Sequence, residues 1–284
     1  MSIEPYFVLL YLHILLFGYW LGADLGVFFC DSQLTRHDLD IEERMRVRQI
    51  RCKVDMAPRI SIVLMLGLSF SLATYYGSPI TGGWLLLVWL ACAGWLASIF
   101  SVRRLGRSPR GLMWARWDRR IWALVGAIMF SLGLVVLITE WIAVPNWLGL
   151  KMAIYGLIVW NGIWIMRSAD HWYPLIEMAR RGGDEKLRAE PLMNRTRFWC
   201  GFSAGTLWFL VLVVAYIGTA KPFCAAARIA CQTPCGVAGM AMSVTPGGAS
   251  ASSTAPMTAG GDAIVPASPQ PLTPSTLLGD GKLM

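Results

Sequence analysis

The chain has 284 residues, of which 56% are hydrophobic and only 15% are charged. Soluble globular domains carry about 45–50% apolar and about 25% charged residues, so this composition argues against a soluble enzyme. The net charge is +8, but the basic residues lie in short loops beside apolar runs, which indicates membrane topology and argues against nucleic-acid binding.

Six stretches are long and apolar enough to cross a bilayer, which needs roughly 20 predominantly apolar residues per helix. Helices are expected because a lipid-embedded segment must satisfy its own backbone hydrogen bonds. The predicted spans are residues 5–30, 56–76, 84–102, 121–141, 147–166 and 199–218. The sequence therefore predicts an all-α, polytopic transmembrane helical bundle of six spans within residues 1–221.

The basic residues follow an alternating pattern along the chain. The loops after the first, third and fifth spans hold 21 of the 25 Lys and Arg residues, whereas the connections 77–83 and 142–146 hold none. The positive-inside rule places the Arg-rich loops in the cytoplasm. We therefore expect a multi-pass protein of the bacterial inner membrane, with its N-terminus and its C-terminal tail in the periplasm.

Two of the Arg-rich loops carry signals for local structure. In the first, Asp40 and Glu43 resemble a capping box, and the following residues can form a helix that extends the second span into the cytoplasm. In the third, Pro174 and the Gly182-Gly183 pair argue against one continuous helix.

The composition changes after Pro222. Residues 222–284 are rich in Ala, Ser, Thr, Pro and Gly, and such a segment cannot bury enough apolar surface to order itself, so we expect a disordered tail. Cys224, Cys231 and Cys235 lie in its first part. In the periplasm they could pair or bind a metal, or the tail could have no function.

Polar side chains within a span are costly and therefore mark candidate sites. His13 is the one histidine predicted to lie in a span, and two interpretations stay open: a ligand for haem iron or copper, or a hydrogen-bonding group between helices. Asp24 follows His13 on the same face of the helix, about 16 Å further along the axis.

The predicted topology sorts the other polar residues into two layers. Lys151 lies near the outer face, where it could snorkel to the interface or pair with Glu140. Near the cytoplasmic face, Asp24 can form a structural ion pair with Arg59. Tyr155, one turn after Lys151, could donate a hydrogen bond to a bound group or to a neighbouring helix.

Gly18, Gly22 and Gly26 repeat every four residues in the first span. Small residues at this spacing let a second helix approach the backbone closely. We interpret this stripe as a surface for helix packing.

Three segments, YLHILLFGYWLGADL, VDMAPRI and NWLGLKMAIYGL, resemble the superfamily that contains CopD-type copper-resistance membrane proteins and HemJ-type protoporphyrinogen oxidases. In that superfamily a first-helix histidine, a proline near the start of the second helix and a lysine after a W-L motif recur, and His13, Pro58 and Lys151 match them. The resemblance implies a haem b or copper site at His13, with Lys151 and Tyr155 beside it. This chain departs from the HemJ pattern in having six predicted spans where that pattern has four.

Three functions stay open at this point. The protein could handle haem or copper through His13, or it could be a HemJ-like oxidase of a membrane-embedded substrate. It could instead be a non-catalytic scaffold, a homo-oligomer or a subunit of a larger membrane complex, in contact with membrane lipids. No P-loop, dinucleotide fingerprint, zinc-protease motif or nucleophile elbow is present in the sequence.

Overall fold

The computed structural model describes residues 4–36, 38–139 and 144–221, and all regular structure in these ranges is helical. The helices are α1 (Pro5–Gln33), α2 (Ile41–Val54), α3 (Met56–Ala73), α4 (Gly82–Leu105), α5 (Pro109–Ile138), α6 (Asn146–Asp170), α7 (Trp172–Arg181) and α8 (Gly183–Ala220). A 3₁₀ turn, Thr74–Tyr76, follows α3. Six helical segments in this part of the chain are long and apolar enough to cross a membrane. The all-α, six-span prediction is confirmed.

The helices continue well past the predicted spans at the Arg-rich loops. Helix α5 begins twelve residues before its predicted span, where Ser108 caps it by accepting a hydrogen bond from the Gly111 backbone N–H at 3.0 Å. The predicted break in the third loop is also confirmed. Helix α6 ends before His171, and Gly182 separates α7 from α8. The φ angles are 76° at Gly182 and 55° at Gly183, the first residue of α8, and glycine adopts such values without steric cost.

The first Arg-rich loop forms α2, as predicted. Asp40 occupies the N-cap position of α2, but its side chain makes no capping hydrogen bond, so the expected capping box is not formed. Asp55 separates α2 from α3. Pro58 has no N–H to donate to the Val54 carbonyl, which accounts for a break at this point in an otherwise extended helix.

Two groups of buried apolar side chains hold the described helices together. The larger lies between the spans and includes Trp20 of α1, Trp95 of α4 and Trp122 of α5. The smaller lies beside the Arg-rich loops, where α7 and the first part of α8 cover the end of α1; Leu34 and Met193 are among its most deeply buried members. We call this side of the bundle, which carries α2 and α7, the Arg-rich end. Its location in the cytoplasm stays a prediction.

Glycines bring α5 and α6 into close contact. A Cβ added to Gly156 would lie 2.6 Å from the Gly126 carbonyl oxygen, and one added to Gly149 would lie 2.6 Å from a Val136 methyl group. The α1 stripe behaves differently: nothing lies within 4 Å of a Cβ at Gly18 or Gly22. The interpretation of these two glycines as a packing surface is therefore wrong within the described chain.

The outer surface of α1 is apolar and exposed, with Tyr11, Ile14 and Phe29 among its most accessible side chains. Such a surface suits contact with lipid tails. Two predictions fall outside the described residues: the position of Glu140 and the disordered tail at 222–284.

Candidate functional site

The residues predicted to form a site in the outer layer lie toward the end of the bundle where α1 begins, which we call the opposite end. His13 lies two turns into α1 from Tyr6, about 10 Å along the helix axis. Its ring nitrogen Nδ1 is buried and has no hydrogen-bond partner among the described residues. A buried polar atom without a partner is costly. The His13 imidazole is therefore a candidate ligand-binding group.

Lys151 of α6 is the charged side chain that acts electrostatically on His13. Its Nζ lies 5.8 Å from the centre of the Trp147 ring. A Cβ added to Gly218 of α8 would lie 2.8 Å from the same Nζ, so glycine at this position leaves the space that the amine fills. Lys151 forms no hydrogen bond or ion pair with any other described residue. Its predicted pairing with Glu140 concerns a residue outside the described ranges.

An aromatic layer closes the opposite end beside Lys151. The hydroxyls of Tyr6 and Tyr76 lie 2.9 Å apart, and Lys221 donates a hydrogen bond to Tyr76 at 3.3 Å. The Tyr76 and Trp147 rings meet edge to face at 5.2 Å. Lys221, like Lys151, lies 5.8 Å from the Trp147 ring centre. Both ammonium groups therefore lie within cation–π distance of one indole, and together they place two positive charges at this end of the bundle.

Sequence reasoning missed Tyr6, Tyr76 and Lys221. They come from the start of α1, the turn after α3 and the end of α8, so no local spacing joins them. The sequence held one signal that could have selected Lys221: it is the next basic residue after the last Arg-rich loop, and it directly follows the final span.

Tyr155 has a structural role in the described bundle. Its hydroxyl donates a hydrogen bond of 2.7 Å to the Ile62 carbonyl oxygen of α3. Of the two roles predicted for Tyr155, the structure shows the hydrogen bond to a neighbouring helix, and its role toward a bound group stays a prediction. Ile62 lies in the middle of α3, so the bond joins two spans inside the apolar core.

We expect Tyr155→Phe to destabilise the protein by about 0.5–1.5 kcal/mol, because a typical intramolecular hydrogen bond contributes that much. Unfolding of the detergent-purified protein, followed by tryptophan fluorescence, measures this change. The same substitution is expected to leave ligand binding at His13 unchanged. Loss of binding without loss of stability would contradict the structural role.

The predicted ion pair between Asp24 and Arg59 is wrong in this structure. Arg59 pairs with Asp55, four residues earlier, at 2.7 Å, while Asp24 accepts a hydrogen bond from the Trp208 indole at 2.8 Å. Asp24 and Arg59 do line one cavity, so the two residues lie at a similar level of the bundle, as predicted. Asp55 caps the start of α3 only four residues before Arg59, so it is nearer to Arg59 along the chain than any residue of α1.

The donors near His13 fit haem better than copper. No group of three His, Cys, Asp or Glu side chains that could hold a metal ion occurs in the described ranges, and Lys151 adds a positive charge beside the imidazole. Haem iron accepts a single axial imidazole, because the porphyrin supplies its other nitrogens. The lysines could also pair with the propionates of haem. Copper would need further nitrogen or sulfur ligands.

No family model, no curated protein sequence and no solved structure matches the chain.

Proposed function

We propose that this multi-pass membrane protein binds haem in the half of the bundle where α1 begins (the opposite end), with His13 as the iron ligand. The observation that carries the proposal is the buried His13 Nδ1, which has no hydrogen-bond partner among the described residues and lies near Lys151. An imidazole in an apolar span is costly unless a partner satisfies it. An iron atom is such a partner, and haem would supply one-electron redox chemistry at this position.

The surroundings of His13 support an anionic ligand. Lys151 and Lys221 both lie 5.8 Å from the Trp147 ring, and the buried Trp147 Nε1 has no acceptor among the described residues. Propionate carboxylates accept hydrogen bonds from ammonium and indole groups. The resemblance of the His13 and Lys151 segments to the CopD and HemJ superfamily favours the same ligand class.

The absorption spectrum of the protein, purified in mild detergent from haem-replete cells, tests this proposal. We expect a Soret band in the wild-type protein that is lost in His13→Ala. His171→Ala is the matched control, because His171 lies at the Arg-rich end with its Nδ1 2.9 Å from the Arg167 carbonyl oxygen, and it is expected to keep the band. Lys151→Gln is expected to weaken haem affinity more than Lys151→Arg.

Other outcomes separate the remaining functions. A colourless wild-type protein that stays colourless after reconstitution with haem would overturn the proposal. Copper found by metal analysis in that protein, and lost in His13→Ala, would favour copper handling. A haem-bound protein that restores growth to cells lacking protoporphyrinogen oxidase would extend the proposal to a HemJ-like oxidase. Wild-type behaviour of a His13/Lys151 double variant would favour a scaffold or complex subunit.

A further inference from the structure

A cavity lies inside the bundle toward the Arg-rich end, away from the His13 region. Asp24, Asp55 and Arg59 supply its polar wall, and apolar side chains such as Ile158 of α6 and Leu207 of α8 supply the rest. It has about 40 Å³ of space for water-sized spheres. Since a cavity needs roughly 10–15 Å³ of such space per water molecule, this one has room for about three.

The charged groups around the cavity are paired, with one exception. Arg59 pairs with Asp55 at 2.7 Å, and Arg51 pairs with Asp31 at 2.5 Å. Asp24 remains: it is only 8% exposed, its Oδ2 accepts the Trp208 hydrogen bond, and its Oδ1 has no hydrogen-bond partner within the described chain. A buried carboxylate with an open oxygen therefore borders a space large enough for water.

We propose that this cavity holds water and that Asp24 exchanges a proton with it, with access from the Arg-rich end. A buried carboxyl group without a cation of its own is costly as an anion, so a proton on Asp24 relieves that cost. Water provides both the proton and the hydrogen bonds for Oδ1. The proton enters from bulk water as hydronium at the Arg-rich end, is relayed by the cavity water to Oδ1 and returns to bulk water by the same route, so no hydroxide is left in the cavity and no oxidant or reductant is needed.

The position of Asp24 favours access from one side. Asp24 lies about 14 Å along the axis from the end of α1 at the Arg-rich end, and about 16 Å from His13. The charged groups that act on Asp24 are Asp31 on α1, Arg51 on α2 and Asp55 at the break before α3. Arg59 on α3 also lines the cavity, whereas α5, α6 and α8 contribute no charged side chain to it. The inference does not depend on a ligand at His13.

Infrared spectroscopy of the purified protein tests the inference, because a protonated carboxylic acid has a C=O stretch separate from those of carboxylates and amides. We expect such a band to grow as the pH is lowered, to disappear in Asp24→Asn and to shift soon after transfer to D₂O. Asp118→Asn is the matched control: Asp118 is also buried and accepts a hydrogen bond from Ser98 at 3.0 Å, but it does not line the cavity. It is expected to leave the Asp24 band in place.

A second variant keeps the test decisive if Asp24→Asn fails to fold. Trp208→Phe removes the indole N–H that binds Oδ2, so we expect the band to shift in frequency while the rate of exchange in D₂O stays rapid. A band that persists in Asp24→Asn, or that is unchanged in Trp208→Phe, would assign it to another group and overturn the inference. A band that depends on Asp24 but exchanges no faster than the backbone amides of the spans would show a dry cavity and overturn it as well.

Discussion

Replacing Asp31 with Asn is expected to destabilise the protein by about 3–5 kcal/mol, because it leaves a buried guanidinium without its counter-charge. Arg51 of α2 is only 4% exposed and Asp31 of α1 only 5%. Arg51 donates two hydrogen bonds to the carboxylate, at 2.5 and 3.3 Å. Unfolding of the detergent-purified protein by SDS, followed by tryptophan fluorescence, measures the loss.

Two controls distinguish this explanation from general damage at the Arg-rich end. Arg181 and Glu185 form an exposed pair at 3.5 Å, and Glu185→Ala is expected to change stability by less than about 0.5 kcal/mol. The double variant Asp31→Asn/Arg51→Gln removes both charges, so it is expected to recover much of the stability lost in Asp31→Asn. A double variant less stable than the single one would contradict the uncompensated-charge explanation.

The sequence predicts the spans well because a transmembrane helix is a local feature. Its length and apolar composition are set by the bilayer, and its hydrogen bonds stay within the segment. The same locality explains the predicted breaks at Pro174 and Gly182-Gly183. Helix ends were less well predicted: hydropathy identifies where a segment is apolar, but α5 continues as a helix through the charged residues from Pro109 onward.

Side-chain partners depend on how the helices are arranged around one another, which hydropathy does not specify. The depth of Asp24 and Arg59 was predicted, and both line one cavity, but depth alone did not identify Asp55 as the partner of Arg59. That partner had a local signal, since residues four apart lie on the same face of a helix. The bond from Tyr155 to Ile62 had none, because it joins α6 to the middle of α3.

The residues of the candidate site also divide into those that a local sequence feature predicts and those that only the arrangement of the helices reveals. His13 and Lys151 could be selected from the sequence because each is a costly polar group in an apolar segment. The surrounding Tyr6, Tyr76 and Lys221 could not, because aromatic and basic residues at the end of a span are ordinary features of a membrane interface. The arrangement of α1, α6, α8 and the turn after α3 is what shows that they lie together.

Close packing of α5 against α6 depends on glycines that the sequence reasoning did not select. Gly126 and Gly133 are seven residues apart in one span, and Gly149 and Gly156 have the same spacing in the next. This repeat in consecutive antiparallel spans was the available signal. At Gly156 the neighbours of an added Cβ are backbone atoms, the Gly126 carbonyl oxygen at 2.6 Å and the Phe130 nitrogen at 2.7 Å, so relief requires the helices to separate.

We therefore expect Gly156→Ala to destabilise the protein by about 1–3 kcal/mol, the usual cost of overpacking a well-packed contact. Gly205→Ala in α8 is the matched control, since nothing lies within 4 Å of a Cβ there. It is expected to be neutral or to stabilise by up to about 1 kcal/mol, because alanine favours a helix over glycine. SDS-induced unfolding of both variants measures the two changes, and the expected result is that only Gly156→Ala lowers stability. Equal effects at the two positions would show that helix propensity, and not contact between α5 and α6, decides the outcome.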